Sequence, residues 1–117
     1  MKYGTIIISR NNVEIIKLQA LQTQTLKERL GGLLLLKQLQ TNQALWIAPC
    51  NSIHTFGMKY ALDLIYFDKD NKVCGLVNHI KPWRINVCLK ASVTVELVAD
   101  SIKHIDIRLG DTSVWQD

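Results

Sequence analysis

Leu62-Asp63-Leu64-Ile65-Tyr66-Phe67-Asp68 is the stretch on which the fold turns. In an extended chain alternate residues face opposite ways, so Asp63, Ile65 and Phe67 form one row and Leu62, Leu64 and Tyr66 the other. Both rows are largely apolar and rich in β-formers. This predicts a strand covered on both faces, at the centre of a sheet. Asp63 then sits in an apolar row, where a carboxylate needs a cation or several hydrogen-bond donors. His54, Lys59 and Arg84 are the side chains available to it. The expectation is that Asp63 is buried and accepts hydrogen bonds from segment 50–59, through backbone N–H groups or the side chains of His54 or Thr55. That would clamp the loop onto the sheet. The alternative is a pocket carboxylate touching a ligand.

Working outward, Lys69-Asp70-Asn71-Lys72 reads as a turn and Val73 to Ile80 as the returning strand. Residues 3–9 and 13–20 are rich in Ile, Val and Thr. They flank Arg10-Asn11-Asn12, and because Asn tolerates positive φ they predict a hairpin. Thr25-Leu26-Lys27-Glu28 has capping-box spacing and Gly31-Gly32 offers a left-handed stop, which predicts a short helix over 24–30. Residues 44–48 read as a strand ended by Pro49. Residues 82–91 read as an irregular connection. Val93 to Val98 alternates Val93, Val95 and Leu97 against a more polar row of Thr94, Glu96 and Val98. Asp100 or Ser101 caps a helical turn through Ile105, Leu109-Gly110-Asp111 is a turn, and 112–115 a last strand. The fold class is mainly β (a β-rich α+β domain): a jelly-roll-like β-sandwich or barrel of six to eight short strands with one or two short helices, in one domain over residues 1–117.

Composition agrees with a packed domain. Hydrophobic residues are 48% of the 117 and charged residues 21%. That balance excludes disorder. The uninterrupted apolar runs, such as Leu33 to Leu36, are far short of the about 20 residues of a membrane span. The N-terminal stretch lacks the pattern of a signal peptide. Three cysteines without paired spacing point to a reducing, cytoplasmic setting. The net charge of +4 is unevenly placed: residues 1–60 hold seven Lys/Arg against Glu14 and Glu28, and residues 61–117 hold seven against eight acids. The cations of the first half are spaced singly with no aromatic interleaving, as on a solvated surface, so no nucleic-acid partner is expected. A monomer is favoured. The Gly-rich phosphate loop, the Gly-x-Ser-x-Gly elbow and His-Glu-x-x-His are all lacking, which counts against the common nucleotide-binding, hydrolase and metalloprotease classes.

Chemistry-bearing residues gather in 50–63, which holds Cys50, Ser52, His54, Thr55, Met58 and Asp63. A Cys50–His54 dyad is disfavoured, because residues four apart in a strand stand about 13 Å from one another. Cys50-x3-His54 is a single irregular pair that His79, Asp63 or a distant Cys would have to complete, so no metal and no cofactor are expected. Cys74 and Cys88 read as core or incidental. Trp83 and Arg84 lie on a Pro-stiffened loop, where Trp83 either stacks on a sugar or base or closes the core as a lid, and Arg84 grips a phosphate or carboxylate. Glu96 is a weaker ligand candidate, and Asp111 reads as ordinary turn chemistry.

Arg29-Leu30-Gly31-Gly32-Leu33-Leu34, Pro49-Cys50-x-Ser52-Ile53-His54-Thr55-Phe56-Gly57-Met58 and Leu62 to Asp68 resemble the domain of unknown function 192 (DUF192) family, in the branch that carries the Pro-Cys-x-Ser-Ile-His-Thr-Phe-Gly-Met motif. Lys81-Pro82-Trp83-Arg84, Glu96-Leu97 and Leu109-Gly110-Asp111 follow in the same order, so the resemblance runs from about residue 14 onward. It implies a compact jelly-roll-type sandwich and no established activity. Two departures stand out. Val98-Ala99-Asp100 replaces the usual Pro-Ala-Gly, which puts a turn in question, and Leu35-Leu36 replaces a Gly-Arg. The leading reading is a non-enzymatic binding or accessory domain whose 50–63 and 81–84 loops take a small polar or sugar-like ligand or a peptide. One alternative is an enzyme with a His54/Asp63 acid–base site beside Cys50. Another is a protein-interaction module linked to envelope or pilus machinery, as the family resemblance suggests.

Overall fold

The computed structural model describes residues 1–25, 28 and 39–117. Nine strands are present among them: β1 (Lys2–Arg10), β2 (Val13–Gln22), β3 (Gln43–Ile47), β4 (Ser52–His54), β5 (Leu62–Phe67), β6 (Val73–Ile80), β7 (Ile85–Val87), β8 (Val93–Val98) and β9 (Thr112–Gln116), with helix α1 (Ser101–Ile105) before the last. Seven form one sheet in the order β6-β5-β8-β3-β2-β1-β9, and β4 pairs with β7 in a separate ribbon. Every pairing is antiparallel except β2 with β3. The expected mainly-β class holds, with more strands than the six to eight expected.

The hairpin β1–β2 turns on Asn11 and Asn12 at φ 51° and 63°. This is the left-handed pair that a tight two-residue connection requires. β5 is central as read, paired on both sides and buried at all six positions. The sheet curls until its edges touch at one end. Lys72 bridges Thr112, and the Val73 and Ser113 amides donate to the Asp111 and Asn71 carbonyls at 2.8 and 2.9 Å. Among the described residues β6 and β9 remain the edges of an open sheet, so the described strands do not close a barrel.

Curling divides the core in two. Inside lie Ile6, Ile8, Leu18, Trp46, Ile65, Phe67, Val93, Val95 and Leu97, with Trp46 stacked on Phe67 at 6.0 Å. On the outer face Leu45, Ile47, Leu62, Leu64 and Tyr66 meet Ile53 and Met58, contributed by β4 and the loop that follows it. The β4–β7 ribbon is therefore a flap over the outer face. The expectation of an irregular connection over 82–91 is corrected by β7, and β4 likewise lies outside the expected strands. Each has three residues and a single inward position, too little for a period to show.

Thr25 and Glu28 form the anticipated capping box. The Glu28 amide donates to the Thr25 hydroxyl at 3.1 Å, and the Thr25 amide donates back to Glu28 Oε1 at 3.3 Å. The rest of the predicted 24–30 helix, the Gly31-Gly32 stop and the Leu35-Leu36 departure lie outside the described residues. At the other departure Asp100 takes φ 71°. It supplies the left-handed turn expected of glycine there.

Candidate functional site

Asp63 is fully buried, as expected, but its partners differ from those expected. Its Oδ1 accepts from the amides of His79 at 2.8 Å and Asp100 at 2.9 Å, and its Oδ2 from the amide of Ile102 at 2.8 Å. None belongs to segment 50–59. The phase of β5 turns Asp63 toward the end of β6 and the start of α1, where three amides converge. Asp100 makes no side-chain cap to α1, so the Asp63 carboxylate caps this helix from another strand. With both oxygens engaged by backbone donors, Asp63 is a clamp on the β8–α1 turn rather than a base beside His54.

The loops at 55–58 and 81–84 do come together, through Thr55. Its hydroxyl donates to the Lys81 carbonyl at 2.7 Å and accepts the Arg84 amide at 2.8 Å. Its own amide donates to the Arg84 carbonyl at 2.8 Å, and the amides of Trp83 and Met58 donate to its carbonyl. A buried threonine so saturated leaves nothing for a ligand and acts as the staple of the flap. Met58 is buried in the outer core.

Above that staple lies an aromatic shelf. Phe56 stacks on Trp83 at 5.8 Å with 26° between planes, and His54 packs against Phe56 at 5.1 Å. Trp83 is 66% exposed, so it is not a lid on the core. In β4–β7, His54 stands opposite Ile85 and Ser52 opposite Val87, which puts all four on the flap's outer face. Ile53 and Asn86 point inward, and Asn86 accepts a hydrogen bond from the Tyr66 hydroxyl at 2.8 Å. Arg84 borders the shelf. Among the described residues its guanidinium reaches only the carbonyls of Pro82 and Trp83, at 3.4 Å. Phe56 escaped the sequence reading, although an aromatic ahead of the positive-φ Gly57 was visible in the motif.

Cys50 and His54 do not engage one another. The Cys50 thiol donates to the Ser52 carbonyl at 3.1 Å, and His54 Nδ1 accepts the Phe56 amide at 3.3 Å. Ser52 is exposed. Among the described residues no three His, Cys, Asp or Glu side chains gather as metal ligands.

Glu96 departs furthest from expectation. Its row on β8 reads as polar, yet it lies between Leu64 of β5 and Leu45 of β3 on the outer face and is 5% exposed. Among the described residues Oε2 has no hydrogen-bond partner, and burial pushes the carboxyl up to about 7. The Tyr60 hydroxyl is raised too, first by its own burial and then by the Glu96 charge. Asp111, read as turn chemistry, is a buried clasp holding Arg10 in a two-pronged pair at 2.8 and 2.9 Å. Such paired charge-assisted bonds fix geometry as well as adding energy.

A curled mixed sheet with a two-stranded flap that carries an exposed aromatic shelf defines a small β-rich domain. The chain belongs to the DUF192 family, described as "Uncharacterized ACR", whose profile matches residues 6–115. Two solved structures share the fold. A protein of unknown function from Novosphingobium aromaticivorans DSM 12444 is 14% identical with a TM-score of 0.85, covering 97% of this chain and 85% of that one. A Sinorhizobium meliloti 1021 protein, provisionally described as a transcription regulator, is 13% identical with a TM-score of 0.87, covering 97% of this chain and 94% of the other. No curated protein matches.

Proposed function

We propose that the protein is a single-domain, non-enzymatic binding module whose recognition surface is the shelf of His54, Phe56 and Trp83, edged by Arg84, for a sugar-like polar ligand. The carrying observation is the exposed, parallel-leaning Phe56–Trp83 pair on a loop pinned by Thr55. A sugar ring offers an apolar C–H face to an aromatic plane and hydroxyls at its rim, where the Arg84 N–H groups donate. Commitment of both Asp63 oxygens to backbone amides argues against an acid–base enzyme. The odd number of cysteines suits a cytoplasmic location.

The test is a titration with a panel of neutral and acidic oligosaccharides, read by tryptophan fluorescence and calorimetry. Binding by the native chain that Trp83→Ala abolishes, with the unfolding midpoint little changed, supports the reading. Saturable binding that survives Trp83→Ala, or none across the panel, refutes it. A protein partner is the second reading, favoured by Ile85, Val87 and Leu89 standing 65%, 53% and 84% exposed along the same flap. Apolar side chains gathered on a surface in this way mark interaction sites.

A further inference from the structure

The flap carries a feature that ligand binding does not use. Cys74 on β6 and Cys88, the residue after β7, bring their sulfurs to 3.8 Å from different elements. Both are partly exposed, and the backbone around them is tied. The Cys88 amide donates to the Asn51 carbonyl at 2.8 Å and its carbonyl accepts the Ala91 amide at 2.9 Å, while β6 is held along β5. Glycine at 75 keeps the space open: a Cβ there would stand 3.2 Å from Cys88 Sγ. The third thiol, Cys50, is engaged with the Ser52 carbonyl.

We propose that Cys74 and Cys88 form a reversible disulfide that fastens the β4–β7 flap to β6. The sulfurs start 3.8 Å apart. Closing that gap to the about 2 Å of an S–S bond is a movement of side-chain scale. The oxidant is a small-molecule disulfide of the glutathione class. One cysteine loses its proton and attacks a sulfur of the oxidant, expelling a thiolate that takes up a proton. The second cysteine loses its proton and attacks the protein-side sulfur of the mixed disulfide, expelling the second thiolate. Two protein thiols are oxidised to one disulfide, and one oxidant disulfide is reduced to two thiols. Either sulfur can make the first attack, and the other then resolves the mixed disulfide. The closed loop spans residues 74–88 and contains Trp83 and Arg84, so oxidation anchors one wall of the shelf and reduction releases it. The thiol chemistry holds whatever ligand the shelf takes.

The experiment incubates the native chain and Cys50→Ser with glutathione disulfide at about pH 8, then maps peptides without reduction. The expected result is a Cys74–Cys88 linked peptide in both, two hydrogens lighter than the separate thiol peptides, reversed by dithiothreitol. The oxidised protein should melt roughly 5–15 °C higher and exchange amide hydrogens more slowly over residues 81–90. Cys74→Ser and Cys88→Ser should each stop at a glutathione adduct on the remaining partner. Stable adducts on both cysteines without a cross-link, a Cys50–Cys88 linkage, or unmodified thiols would each overturn the proposal.

Discussion

Replacing Glu96 by Gln should stabilise this protein at neutral pH, and the size of the gain follows from its surroundings. The carboxyl lies between Leu45 and Leu64 against the outer core, and among the described residues Oε2 has no hydrogen-bond partner. In the unfolded chain it titrates at its ordinary value of 4.5, and in the folded protein burial raises it to about 7. The folded state thus holds this proton more tightly than the unfolded one. Below 4.5 both states are protonated and burial costs no ionisation penalty. Between 4.5 and about 7 stability falls as pH rises, and above about 7 the loss is complete. At roughly 1.36 kcal/mol per pKa unit, the total is about 3 kcal/mol. Glutamine keeps the shape and never ionises, so its advantage over the native chain should grow from near zero in acid to about 3 kcal/mol above neutrality. Urea unfolding of both proteins, followed by tryptophan fluorescence across that pH range with equal m-values, measures the difference. A difference that stays flat with pH, or a native chain more stable than Glu96→Gln at alkaline pH, refutes the reasoning.

Asp63→Ala orphans three amides and should cost about 3 kcal/mol, with faster hydrogen exchange at Asp100 and Ile102, while Asp63→Asn should cost about 1–3 kcal/mol; an unchanged urea midpoint would contradict the clamp. At Gly4 an added Cβ would run into the Trp115 ring and lie 2.9 Å from the Gln116 carbonyl oxygen. Gly4→Ala should therefore destabilise by about 1–3 kcal/mol, and calorimetry would expose a neutral outcome. Burial pushes the Asp111 carboxyl up, but the Arg10 guanidinium and the Arg108 amide outweigh it and hold the group below 3.8. Its stabilisation is therefore present above 3.8 and lost as pH falls through the folded value. Asp111→Asn should cost about 2 kcal/mol near neutrality, and the deficit should shrink in acid; a deficit independent of pH would count against the pair.

Much of the frame was legible because it rests on local physics. Strand period set the two faces of β5, the Asn11-Asn12 pair dictated a left-handed turn, and capping spacing placed Thr25 against Glu28. The burial of Asp63 followed from phase alone. Its partners did not, since Asp100 and Ile102 lie 37 and 39 residues away and the candidate donors nearer in sequence sit on the flap. The loops at 50–63 and 81–84 were named as one site from composition, and Thr55 joins them. The shelf also needed Phe56, and one aromatic in a loop carries no period by which to find it.

The amino-acid sequence by itself determined the mainly-β class, most strand positions, the DUF192 resemblance and the immersion of Asp63 in an apolar row. Each depends on neighbours within a few residues, where sterics and alternation act directly. Only the tertiary structure decided that Glu96 is buried between Leu45 and Leu64, that Arg10 grips Asp111 across 101 residues of chain, and that the sulfurs of Cys74 and Cys88 meet. Those facts depend on which strand lies beside which and on how far the sheet curls. Long-range pairing sets both, and no local pattern encodes it.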